Sequence, residues 1–133
     1  MQIFLKVLVS AAILILLLSS LSTYVDPAGM AAQDAFAMSL DGTAGKGAMR
    51  GVVGGHMLGI ALLCLYGLVK LDSRPLYAAA FLELVTIAGR VLSIGIDGFD
   101  ARVLGPIGIE IVLATIMFSA AMFLQPSAAR SAA

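Results

Sequence analysis

Residues 83–97 read ELVTIAGRVLSIGID. Glu83, Arg90 and Asp97 recur every seventh residue, with Thr86 and Ser93 between them and only apolar residues or glycine elsewhere. On an α-helix these five positions share one face. The surrounding run, about 76–96, is long enough to cross a bilayer core of roughly 30 Å. A charge turned toward lipid costs at least ~2.5–3.5 kcal/mol on insertion scales. The stripe is therefore expected to face the interior of a helix bundle or a protein partner.

Composition agrees with a membrane location. The chain has 133 residues, 61% hydrophobic and 12% charged, with a mean hydropathy of +1.06. A soluble domain of this size could not hide that much apolar surface. Three further stretches qualify as spans, at about 3–22, 51–69 and 104–123. The expected fold is thus all-α: an antiparallel four-helix transmembrane bundle over 1–124, with a flexible tail over 125–133. The first span, IFLKVLVSAAILILLLSSLS, carries an early lysine and a leucine-rich centre like a signal peptide. No small-x-small cleavage site follows closely, so it reads as a retained helix.

Basic residues set the orientation. Lys6, Lys70, Arg74 and Arg130 fall on one side, and Lys46, Arg50 and Arg102 on the other, beside Asp26, Asp34, Asp41, Asp97 and Asp100. The balance favours cytoplasmic termini. The long first connection begins Asp26-Pro27, a capping pair that predicts a short helix over about 27–40. Met30, Phe36, Ala37 and Leu40 of this helix would rest at the membrane surface. Its closing glycines are expected to stop that helix. The segment reads as a connector over one end of the bundle, with a gating lid as the alternative.

Depth along the spans predicts which charges meet. Arg90 lies roughly 10 Å inside Asp97, at 1.5 Å per residue. Glu110, the only charge of the fourth span, lies roughly 9 Å from its start, and His56 sits at similar depth in the second. An Arg90–Glu110 ion pair with His56 adjacent is expected. Glu83, nearer the other surface, would meet Lys6, and Arg50 would meet Asp97 at the outer rim. The candidate site is therefore His56, Arg90, Glu110, Asp97, Arg50, Ser93 and Glu83. Three roles fit such a layer: fixing helix register, binding a small molecule or lipid headgroup, or carrying protons among Glu110, His56 and Glu83. Gly51, Gly55 and Gly59 are spaced for close helix approach, within the bundle first and between two copies as the alternative.

Much chemistry has no sequence support. No HExxH, nucleophile elbow, phosphate loop or dinucleotide fingerprint is present. One histidine and one cysteine, Cys64, build neither a disulfide nor a zinc site within the chain. His56 alone is thin support for a haem, so no cofactor is named. No basic run points to nucleic acid. Membrane lipids, other integral membrane chains or a second copy are the expected partners.

The residues MRGVVGGHMLG, then AGRVLSIGIDG, then Glu110 resemble a family of small bacterial membrane proteins catalogued as a domain of unknown function, number 4345. The residues that carry the resemblance are Arg50, Gly54, Gly55, Gly89, Arg90, Ser93, Asp97, Gly98 and Glu110. A looser similarity is to DoxX-like four-helix membrane proteins. The resemblance implies a four-helix fold in a bacterial inner membrane and carries no activity. The leading functional expectation is a non-enzymatic accessory subunit of a membrane complex. The alternative is a carrier of a small molecule, lipid or quinone that uses the buried polar layer.

Overall fold

The computed structural model of the chain describes residues 2–33, 36, 38–40 and 42–123. Four long helices form an all-α bundle, with no strand among the described residues. Helix α1 spans Gln2–Val25, and two short helices follow, α2 at Pro27–Ala31 and α3 at Gly42–Ala48. A π-helical turn at Met49–Gly54 runs directly into α4, Gly55–Lys70. Helix α5 covers Ser73–Asp97, and a 3-10 turn at Ala101–Val103 opens α6, Leu104–Phe123. Helix α1 packs on α4, α4 on α5, α5 on α6, and α6 back on α1. The tight connections leave α4, α5 and α6 antiparallel to their chain neighbours. All four units, with α3, the π turn and α4 counted as one, are long and apolar enough to cross a membrane. That is the property of a multi-pass membrane protein.

Side chains at the helix ends explain the boundaries. Asp26 caps α2 by accepting from the Gly29 amide at 3.0 Å, with Pro27 at the first helical position. Asp72 caps α5 by accepting from the Arg74 amide, and the Arg74 guanidinium pairs with it at 2.8 Å. That neighbour holds the Asp72 carboxyl below the usual carboxylate range. Asp100 and Arg102 repeat the arrangement ahead of α6. Between α4 and α5 the chain reverses through Leu71, whose φ of 52° is left-handed.

The bundle is filled at one end and hollow at the other. The filled end joins the first half of α1, the last half of α4, the first half of α5 and the last half of α6. There Val9, Ile60, Cys64, Leu76 and Met117 are buried among small residues such as Ala79, Ala80, Ala120 and Ala121. Alanines on facing helices let the backbones approach closely, as membrane helix packing favours. Tyr77 and Phe118 stack edge to face at 5.5 Å across α5 and α6. Outside, Ile3, Val25, Val52, Val69 and Ile96 stand among many exposed apolar side chains. Toward the hollow end, α5 has no buried residue after Glu83, and α6 has none before Glu110.

The first connection departs from expectation. Helix α2 ends at Ala31 rather than near 40. Ala37, Asp34, Asp41 and the tail at 125–133 lie outside the described residues. Gly45 and Gly47 do not stop a helix; they lie inside α3, which continues into the second span. Such glycines cost up to ~1 kcal/mol each relative to alanine. The extension is held by tertiary packing instead. Met49, at its end, is buried with Met30 and Ala31 of α2, and Phe36, Leu40 and Val53 pack around them.

The glycine spacing also needs correction. A Cβ at Gly51 or Gly59 would meet nothing within 4 Å, and one at Gly55 only ordinary contacts. The close approaches occur at Gly54 against Thr23 and at Gly67 against Leu76. The π turn, with its i→i+5 pattern, shifts the helical phase between Gly51 and α4, whereas Gly55 and Gly59 both lie within α4.

Candidate functional site

The hollow end contains a cavity of about 580 Å³ bounded by α1, the π turn, α4, α5, α6 and the first connection. Its walls are largely apolar, from Ile15 and Leu16 of α1, Val52 and Val53 of the π turn, Met57 of α4, and Ile109 and Leu113 of α6. Met30, Gln33 and Phe36 contribute from the first connection, making that segment part of the cavity wall. The polar groups that converge on it are Ser19, His56, Glu83, Thr86, Arg90 and Glu110. An apolar pocket of ~300–1,000 Å³ with a few directed polar groups is the usual form of a small-molecule site.

Arg90 and Glu110 meet as their depths predict. Arg90 Nε donates to Glu110 Oε1 at 2.8 Å, with the side chains 25% and 11% exposed. The pair ties α5 to α6 where both helices border the cavity. Glu110 Oε2 is buried and has no hydrogen-bond partner. His56 lies 3.3 Å by Nε2 from Thr86 Oγ1, which also donates to the Leu82 carbonyl at 3.1 Å. The π turn just before His56 puts Val52, Val53 and His56 along the same wall. Single π turns within helices recur at functional sites.

Glu83 overturns one expectation. It does not pair with Lys6, which is exposed on α1. Glu83 is only 4% exposed, lines the cavity, and forms no hydrogen bond or ion pair with a described residue. It is close enough to Glu110 for the two carboxylates to interact electrostatically. Its helical face explains the difference, because Glu83, Thr86 and Arg90 point to the same side of α5.

The rim pair is overturned as well. Arg50 Nε donates to the Tyr24 carbonyl at 2.8 Å, capping the end of α1. Asp97 accepts from Ser93 Oγ at 2.7 Å within its own helix. Ser93 and Asp97 are both exposed, so the outer half of the stripe faces away from the bundle. A carboxylate at the last residue of the helix reaches water without a partner helix. Only His56, Arg90, Glu110 and Glu83 of the seven expected residues line the cavity.

Sequence reasoning missed Gln33, Phe36 and Ser19 as wall residues. Thr86 was visible in the stripe, but nothing in the sequence paired it with His56. Among the described residues, no group of three or more His, Cys, Asp or Glu side chains is placed to hold a metal ion. No family model matches the chain, and neither does any curated protein or solved structure.

Proposed function

We propose that this is a non-enzymatic, membrane-embedded binding protein or carrier for a small amphipathic molecule, held in the cavity at the Arg90–Glu110 layer. The observation that carries this reading is the cavity itself: apolar walls around a buried polar cluster that leaves Glu110 Oε2 without a partner. A polar layer that served register alone would be expected to close on itself, because a buried polar atom without a partner costs stability. The shared pattern with the domain-4345 family belongs to this reading and adds no activity to it.

The first test is native mass spectrometry of the protein released from its own membrane in nanodiscs. The expected result is the chain carrying a defined small mass. Met57→Trp, which places a large side chain in the cavity wall, should lose that mass while the protein still accumulates. Stoichiometric copurifying polypeptides with no small mass would instead support an accessory subunit.

In the same reading both termini face the cytoplasm of a bacterial inner membrane. Cysteines at Gly47 and Ser73, in a Cys64→Ala background, test this. An impermeant thiol reagent added to intact cells should label position 47 and spare position 73. Labelling at 73 alone would invert the topology.

A further inference from the structure

Charge balance inside the cavity narrows the class of ligand. Among the described residues, its lining holds two carboxyl groups, Glu83 and Glu110, and one guanidinium, Arg90, so acidic side chains outnumber the guanidinium by one. The surplus is localised. Arg90 engages Glu110 through Oε1, whereas Glu83, 4% exposed, is paired with no described residue. Glu110 Oε2 adds a second buried acceptor with no donor. Both unmet groups are acceptors, and they stand beside apolar wall residues such as Leu16, Met57 and Leu113.

Buried carboxylates call for a compensating charge or donor. An anionic ligand would meet the surplus acidic group, and a neutral ligand bearing only acceptors would face acceptors. Resting on the binding reading above, we infer that the cavity takes a lipophilic organic cation, with its charged head against Glu83 and its apolar body against the walls. Arg90 then acts as a positioning residue, holding the Glu110 carboxylate in the same wall as Glu83. The apolar surroundings strengthen the ion pair, because the effective dielectric there lies well below that of water.

Tetraphenylphosphonium and tetraphenylborate, of similar shape and opposite charge, provide the test, with neutral triphenylphosphine oxide as a third ligand. Each is equilibrated by dialysis with the full chain in phosphatidylcholine nanodiscs, and uptake by empty nanodiscs is subtracted. The cation should bind saturably at one per chain, and the anion should show no saturable binding. Glu83→Gln, nearly isosteric, should weaken cation binding by about tenfold or more, the loss of roughly 1.4 kcal/mol. Glu83→Asp, which keeps the charge, should weaken it less. Far-UV circular dichroism verifies that both variants remain folded.

Equal binding of the anion or the neutral ligand would overturn the inference, as would full cation affinity in Glu83→Gln. The binding reading would survive both outcomes, since the cavity would still be occupied. Absence of saturable binding by all three ligands overturns the inference. If native mass spectrometry also finds no small mass, the binding reading falls with it.

Discussion

Arg90→Ala is expected to destabilise the bundle by about 2–3 kcal/mol, somewhat below the 3–5 kcal/mol typical of breaking a buried ion pair. The substitution removes the only hydrogen-bond donor to the Glu110 carboxylate among the described residues, and that side chain, 11% exposed, already has one oxygen unsatisfied. Glu110 and Glu83 would then line the same cavity with no guanidinium among the described lining residues. Two features keep the cost below the upper end of that range: the cavity admits other molecules, and an isolated carboxylate can take up a proton. Glu110→Ala should cost less, about 1 kcal/mol, because the guanidinium is a quarter exposed on a long flexible stem. The double substitution should recover part of the loss of Arg90→Ala. SDS-titrated unfolding in mixed micelles, followed by helical ellipticity, reads all three. If the double variant loses the sum of the two single losses, the pair contributes no coupling and its place in the architecture must be reconsidered. If Arg90→Ala unfolds like the parent protein yet loses the bound mass, the pair serves the ligand rather than the fold.

Four-span architecture was legible because it depends on the length and polarity of runs, which tertiary context does not alter. The Arg90–Glu110 meeting was legible for a related reason. In a bundle of tight antiparallel connections, residue number converts directly to depth, and depth limits the possible partners. Azimuth is what residue number does not supply. Glu83 and Lys6 have compatible heights, but Glu83 turns inward and Lys6 outward. Arg50 and Asp97 likewise share a rim, yet each is satisfied locally, by the Tyr24 carbonyl and by Ser93. The first connection was the least legible part. Gly45 and Gly47 argue locally against a helix, and the contact that holds one there, Met49 against Met30 and Ala31, joins segments far apart in the chain. The π turn at Met49–Gly54 has no reliable sequence mark, and it places the close contact at Gly54 against Thr23.

Glycine substitutions separate packing from spacing. Gly67→Ala is expected to destabilise the protein by about 1–2 kcal/mol: overpacking costs roughly 1–3 kcal/mol, and the better helix propensity of alanine returns up to about 1. A Cβ at Gly67 would lie 2.8 Å from Leu76 Cγ and 3.0 Å from the Asp72 carbonyl oxygen. Neither neighbour yields easily. Leu76 is 1% exposed within the filled end, and Asp72 is fixed by the hydrogen bond its backbone N–H donates to the Gly67 carbonyl at 3.0 Å and by its cap on α5. The substitution would therefore wedge apart α4 and α5 at the turn that joins them. Gly54→Ala should be milder, since its nearest contact would be the Thr23 methyl at 3.3 Å. Gly51→Ala and Gly59→Ala meet nothing within 4 Å and should be neutral or stabilising by up to ~1 kcal/mol. The same SDS titration gives the order. Equal losses at Gly67 and Gly59 would mean that backbone freedom, rather than contact, is what the glycines provide. A loss confined to Gly67 and Gly54 would place the close approaches at the hairpin turn and at the π turn, one at each end of α4, with the four-residue spacing incidental to both.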